Sequence, residues 1–128
     1  MNDILNWLQG SPYCQDYVSV DQIQYRPDSC GLFPMGIEVV ATKTDIVGNT
    51  KQRLRSRYEL RRITARHRDQ MEAADWMKQF QLWVLSQGAE APQLGENTRW
   101  TAKNGRLAKS DRPDTCIYTV DLVAEYDK

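Results

Sequence analysis

Residues 69–87 read Asp69-Gln-Met-Glu-Ala-Ala-Asp-Trp-Met-Lys-Gln-Phe-Gln-Leu-Trp-Val-Leu-Ser-Gln87. Apolar side chains recur here every three or four residues, a spacing that predicts an amphipathic helix. The recurring residues are Ala73, Trp76, Met77, Phe80, Trp83 and Val84. Asp69 and Glu72 have the spacing of a capping box, and Gly88 is a natural helix stop. Such an aromatic stripe must lie on a sheet, which the other segments are predicted to form.

The basic segment before this helix alternates in character, which predicts a strand with one buried face. Between Arg53 and Thr64, the inward residues are Leu54, Ser56, Tyr58 and Leu60, and the outward ones are Arg53, Arg55, Arg57, Glu59 and Arg61. The pair Arg62-Ile63 breaks the alternation, so we expect a bulge or the strand end there. A helical interpretation stays open, because Leu54, Tyr58, Arg61 and Ala65 are also spaced for a helix.

The remaining elements follow from short patterns. Residues 2–9 predict a short helix with Ile4, Trp7 and Leu8 on one face, and residues 17–25, 36–43, 98–103 and 116–126 predict strands. Loops or turns are predicted at 26–34, 45–50, 88–97 and 109–114, and Asn104-Gly105 predicts a tight hairpin turn. The sequence therefore predicts one α+β domain over residues 1–128. Its mostly antiparallel sheet carries one long and one short helix on one face, joined by hairpins rather than βαβ crossovers.

The totals are those of an ordinary soluble domain. The chain has 128 residues, 41% hydrophobic and 27% charged, and neither a signal peptide nor a membrane-spanning run is expected. Three cysteines without CxxC or Cys/His spacing argue against a disulfide framework and a zinc site. Cys14 and Cys30 are predicted in loops, Cys116 on the core face, and all three are expected to be reduced thiols of a cytosolic protein.

Charge is divided along the chain although its net value is zero. Residues 51–68 hold eight basic residues against one acid, Glu59, so the rest carries seven surplus negative charges. Three interpretations stay open for the outward arginines Arg53, Arg55, Arg57 and Arg61, and the neighbouring Arg62 is a further candidate for the same interface. They could form a solvated outer face, meet an acidic surface such as that of an identical subunit, or contact nucleic-acid phosphates. The preference for arginine over lysine favours planar, bidentate pairing at an interface.

Catalytic chemistry is not indicated. The single histidine, His67, lies between two arginines and has no evident orienting partner, so we interpret it as a solvated residue. The cysteines lack a neighbouring motif that would make a nucleophile, and phosphate-binding glycine loops are absent. The sequence therefore predicts a non-enzymatic protein without metal or cofactor.

Several segments together resemble the tail terminator proteins of siphophages and prophages, also labelled tail completion or minor capsid proteins. The resemblance spans nearly the whole chain and consists of layout and local sequence. Its segments are Ile4-Leu-Asn-Trp-Leu8, Ser11-Pro-Tyr13, Gly48-Asn-Thr-Lys-Gln52, Phe80-Gln-Leu-Trp-Val-Leu-Ser-Gln87, Pro92-Gln-Leu94 and Cys116-Ile-Tyr-Thr-Val-Asp-Leu-Val-Ala-Glu-Tyr126.

The resemblance implies a structural protein of the virion, assembled in the bacterial cytoplasm. It implies a homo-oligomeric ring, typically a hexamer, that caps the phage tail tube protein, ends its polymerisation and presents a surface to the head–tail connector protein. Contacts with tube or connector are expected in the loops 45–51 and 88–97, at Asp45, Asn49, Pro92 and Leu94. The alternative function is a small nucleic-acid-binding module that uses residues 51–68.

Overall fold

Two helices and a five-stranded sheet form the two layers of the structure. The structure is a computed structural model and describes residues 2–14, 18–20, 30–65, 70–108 and 115–128. The elements are α1 (Asn2–Gln9), β1 (Val18–Val20), β2 (Cys30–Thr44), β3 (Thr50–Ala65), α2 (Gln70–Gln87), β4 (Glu96–Ala108) and β5 (Thr115–Asp127), with a 3₁₀ turn at Gly88–Glu90. The predicted α+β class, with a mostly antiparallel sheet, is confirmed.

The sheet has the strand order β1-β2-β3-β5-β4, and only the β1–β2 pair is parallel. Both β3 and β4 run antiparallel to β5, which lies between them, so β3 and β4 point the same way. The expectation that no βαβ crossover occurs is therefore wrong. The helix α2 carries the chain back along the sheet from the end of β3 to the start of β4, as a crossover between equally directed strands requires.

The core lies between the helices and one face of the sheet. Phe80 and Val84 of α2 are fully buried, as are Ile4 and Leu8 of α1. The α1 stripe is therefore confirmed, and so is the α2 stripe from Trp76 onward; the Ala73 side chain lies outside the description. The Phe80 ring stacks on Trp76, with centroids 5.4 Å apart and an interplanar angle of 2°. The sheet contributes buried residues at alternate positions: Leu54, Ser56, Leu60, Trp100, Ala102, Val120, Leu122, Ala124 and Tyr126.

The strand β3 confirms the predicted alternation and excludes its helical alternative. It continues to Ala65 opposite β5 without any shift of register, so the bulge or strand end expected at Arg62-Ile63 is wrong. Ile63 lies on the outer face of the sheet, yet it is fully buried. The break in the sequence pattern therefore marks where the outer face becomes buried, beside the buried residues Ile117 and Thr119 of β5.

One segment predicted as a loop and one predicted as a hairpin turn lie inside strands. Residues 30–34, predicted as a loop, are the start of β2, which tolerates Pro34 and takes a bulge between Pro34 and Gly36. Asn104-Gly105 is not a hairpin turn but a bulge within β4. Asn104 has the positive φ that the dipeptide indicated, at 57°. At Gly105 an added Cβ would lie 3.1 Å from the Gln81 side chain, so glycine allows α2 to approach β4 closely.

The other predicted element boundaries are confirmed, lie within a longer strand, or fall outside the described residues. Gly88 has a φ of 53°, which confirms it as the left-handed residue ending α2. The strand predicted at 36–43 lies within β2, and the one predicted at 17–25 is described only at Val18–Val20. The loop at 109–114 and the capping-box side chains of Asp69 and Glu72 fall outside what is described.

We expect Phe80→Ala to lower the free energy of unfolding by about 3–5 kcal/mol, because it removes a fully buried ring from the aromatic cluster. Urea denaturation measures this loss. Gln79→Ala is the control on the same helix, since Gln79 is exposed and its truncation should cost less than about 0.5 kcal/mol. Equal losses in the two variants would contradict the packing described here.

Candidate assembly surface

The outward arginines of β3 lie between two strands that supply carboxylates. Arg55 donates from Nε and Nη2 to one Glu125 oxygen of β5, at 2.9 and 2.8 Å, and from Nη1 to Glu38 of β2 at 3.2 Å. These hydrogen bonds, first to Glu125 and then to Glu38, raise the pKa of Arg55. The guanidinium is therefore already engaged on both sides within its own chain.

The same arrangement continues toward the end of β5. Arg53 donates from Nη1 to Asp127 at 3.0 Å, and its Nε lies 3.8 Å from Glu125. Asn97 donates to the other Asp127 oxygen at 2.8 Å. The hydrogen bonds from Asn97 and then Arg53 lower the pKa of Asp127, because both stabilise the charged carboxylate.

A second ion-pair group occupies the other half of this face. Glu59 accepts from Arg61 at 2.6 Å and from Arg106 of β4 at 3.1 Å, and Arg106 also pairs with Asp121 at 3.2 Å. The Arg61 guanidinium lies 4.0 Å from the centroid of the Phe33 ring. On this face, Arg53, Arg55 and Arg61 are therefore each neutralised by a carboxylate of the same chain.

Two of the candidate arginines differ from the others. Arg57 is half exposed, and its closest described carboxylate, Glu38, is 3.9 Å away. Arg62 is on the opposite, helix-covered face, where its guanidinium lies 4.5 Å from the Trp76 ring centroid. The structure thus brings Arg53, Arg55 and Arg57 together on the outer face and separates Arg62 from them.

Residues 34–51 form a long exposed segment, which we call the arm. It consists of β2 from residue 34 onward, the turn that follows β2, and the first two residues of β3. Every residue of the arm is exposed. In the described part of the chain, β1 covers the outer edge of β2 only at Cys30, Gly31 and Leu32, so residues 33–44 have no strand beside them there. Register shifts at Pro34/Gly36 and Val39/Ala41 interrupt this edge, as bulges do on strands protected from edge-to-edge pairing.

Large apolar side chains are concentrated on the arm. Ile37 and Val39 are opposite Ser56 and Leu54, on the face that forms the core, yet they are 67% and 54% exposed. Of the eight large hydrophobic residues found exposed in the described chain, six belong to the arm: Met35, Ile37, Val39, Val40, Ile46 and Val47. The apolar face of the sheet therefore continues past the helices onto the arm.

The turn at the arm's tip is closed by hydrogen bonds within residues 45–49. The Asp45 carboxylate accepts from the backbone amides of Val47, at 3.0 Å, and Asn49, at 2.8 Å. A backbone hydrogen bond from Asp45 to the Asn49 carbonyl, 2.9 Å long, closes the turn. The candidates Asp45 and Asn49 thus shape the turn, and the side chains it presents are Ile46, fully exposed, and Val47.

Pro92 and Leu94 lie near the end of the sheet at which β3 begins. Glu96, which follows them, pairs with Asp127, and Asp127 pairs with Arg53. Both residues also have internal roles, since the Pro92 carbonyl accepts from Trp100 at 2.8 Å and Leu94 packs against the core. The two predicted loops therefore lie toward the same end of the sheet, and the loop at 91–95 packs on the core whereas the arm is exposed.

Sequence reasoning missed the apolar residues of the arm. A signal was present, since Ile37-Glu-Val-Val40 places apolar residues on both sides of the strand and Ile46-Val47 occupies a turn, where polar residues are usual. No group of three or more potential metal ligands occurs among the described residues, and no described helix is long and apolar enough to cross a membrane. His67 and the Cys116 side chain fall outside the description.

Comparison with models of known protein families gives no match, and comparison with curated proteins gives none either.

We expect Asn97→Ala to raise the pKa of Asp127 toward the ordinary aspartate value, because it removes the hydrogen bond that lowers this pKa most. Since the folded-state pKa is lowered, Asp127 stabilises the fold above the ordinary pKa of aspartate, and that contribution is lost as pH falls through the lowered value. NMR titration of the Asp127 carboxyl measures both pKa values. An unchanged pKa in the variant would contradict the assigned hydrogen bond.

Proposed function

We propose that this chain is a self-assembling structural subunit of the phage tail terminator type. Copies of it form a ring at the head-proximal end of the tail tube, and the ring docks to the head connector. The observation that carries the proposal is the apolar surface of the arm, because no described part of the chain covers it and a surface of this kind favours a covering partner.

The arm favours a partner of the same kind as itself. Soluble monomers rarely expose contiguous apolar patches larger than a few hundred Å², and the arm presents six large aliphatic side chains on a continuous segment. A ring covers the same patch in every copy without an additional protein. The bulged edge of β2 favours contact through side chains rather than through an added strand.

A second exposed apolar surface is the candidate for receiving the arm. Leu82 and Leu85 of α2 are 51% and 54% exposed, and they are the remaining large exposed hydrophobic residues of the described chain. Because this surface differs from the arm, a contact between them is heterologous: the arm of one copy lies on α2 of the next. Heterologous contacts close into rings when the rotation between copies allows it.

The nucleic-acid alternative receives less support from the geometry. Arg53, Arg55 and Arg61 each have a carboxylate of the same chain within 3.0 Å, so a phosphate would have to displace an existing partner. Among the described arginines on the outer face of β3, Arg57 has the most distant ion-pair carboxylate, at 3.9 Å, so these arginines offer a phosphate a single contact. Single contacts give weak, shallowly salt-dependent binding.

We expect the double variant Ile37→Ser/Val39→Ser to remain monomeric at concentrations where the unaltered chain forms a ring, because it removes the apolar surface nearest the core. Light scattering over a range of protein concentrations measures the mass. Thr42→Ser is the matched control, an exposed arm residue whose change preserves a polar side chain. Circular dichroism verifies that all variants keep the fold.

Mixing separates the heterologous contact from other arrangements. The variant Leu82→Ser/Leu85→Ser keeps its arm, and the arm variant keeps its helix surface, so together they should form a one-to-one pair although each alone is a monomer. A mixture that stays monomeric would contradict contact between arm and helix. Rings formed by the arm variant would contradict the proposed function, as would association that requires added DNA.

A further inference from the structure

Two buried thiols touch at the start of β2, the end of that strand farther from the turn at the arm's tip. The Sγ atoms of Cys14 and Cys30 are 3.4 Å apart, and both residues are almost fully buried. We propose that Cys14 and Cys30 form a reversible intramolecular disulfide when the folded chain meets a small peroxide oxidant. This inference does not depend on ring formation.

The backbone holds both cysteines in place. The Cys14 amide donates to the buried Ser11 hydroxyl oxygen at 3.1 Å, and that hydroxyl donates to the Leu8 carbonyl at 2.6 Å, which fixes Cys14 to the end of α1. Cys30 begins β2 and lies between Val18 of β1 and Arg62 of β3. It therefore lies in a strand, not in the predicted loop. Closing the bond to about 2.05 Å requires only a small movement of side chains that already face each other.

The surroundings select a small oxidant. The hydrogen bond from Cys30 and then burial raise the pKa of Cys14, so only a small fraction of it is the reactive thiolate at neutral pH and its oxidation is slow. Burial also keeps bulky disulfide reagents from reaching the sulfurs. Hydrogen peroxide is small enough to enter through ordinary local fluctuations, and the neighbouring thiol can trap the first oxidation product.

The reaction balances with one peroxide. One cysteine loses its proton and, as the thiolate, attacks hydrogen peroxide to become a sulfenic acid; the hydroxide that is displaced takes up the proton and leaves as one water. The second thiol then attacks that sulfur and displaces its hydroxyl group as a second water, which forms the sulfur–sulfur bond. Two thiols and one hydrogen peroxide thus give one disulfide and two waters. A dithiol reductant reverses the bond.

The bond would join the end of α1 to the first residue of β2 across residues 15–29. Cross-linking residues separated by this length of chain restricts the unfolded state more than the folded one. The oxidised protein should therefore melt at a higher temperature than the reduced protein, by about 10 °C for a bond of typical stabilising effect.

The test uses Cys116→Ser, so that the pair supplies the two remaining thiols. Folded, reduced protein is treated with hydrogen peroxide, quenched, denatured and labelled with a maleimide. We expect no labelled thiol, a monomer lighter by two hydrogen atoms, recovery of two thiols after dithiothreitol, and the higher melting temperature. In the unaltered chain, peptide mapping should find Cys14 linked to Cys30 rather than to Cys116.

Cys30→Ala/Cys116→Ser is the control, because it leaves Cys14 without a partner. Its melting temperature should not rise with peroxide. The proposal is overturned if two thiols remain labelled after treatment, if oxygen is added without a cross-link, or if mapping finds a different pair. An equal rise in melting temperature in the control would overturn the stabilising role of the bond.

Discussion

The helices are too short for the strands that they cover. A 16-residue β3 spans about 50 Å at the usual rise of a strand, whereas the 18-residue α2 spans about 27 Å. Phe80 and Val84 anchor α2 over one part of the sheet, and α1 adds little length. The arm is a direct consequence, because the apolar alternation of β2 continues through Ile37 and Val39 where the helices have ended.

The outer face of the sheet is stabilised by charge where no second layer lies over it. Arg53 and Arg55 of the central strand β3 meet acids from neighbouring strands, Arg53 with Asp127 and Arg55 with Glu125 and Glu38. Exposed ion pairs contribute little individually, but a guanidinium bonded to two strands restrains both. The ion pairs of Arg53 and Arg55 thus restrain the strands where the arm meets the sheet, without relying on buried surface.

The sequence predicted the elements whose patterns are local. The stripe of α2, the alternation of β3 and the inward set of β5 from Tyr118 to Tyr126 all depend on spacing within one segment. The ion pairs between β3 and β5 could not be predicted, because residues such as Arg55 and Glu125 are 70 positions apart and meet only once the strand order is known. The crossover through α2 was missed for the same reason, since no single segment of the sequence determines the order of the strands in the sheet.

Other errors came from residues with two uses. Asn104-Gly105 supplies a positive φ, which suits either a hairpin turn or a bulge, and only the pairing with β5 decides between them. Pro34 is unfavourable in a central strand but is tolerated on an edge. The candidate site was found in part: Asp45 and Asn49 marked the tip of the arm, while the apolar residues that they present were overlooked.

The most direct test of the account is hydrogen–deuterium exchange measured as protein concentration is raised. If copies of the chain cover the arm, the amides of residues 34–51 should become protected together as the mass increases, along with those around Leu82 and Leu85 of the receiving helix. Protection that stays unchanged in the arm while the chain associates, or that arises only at the arginine-bearing outer face, would contradict the claim that the arm is the assembly surface.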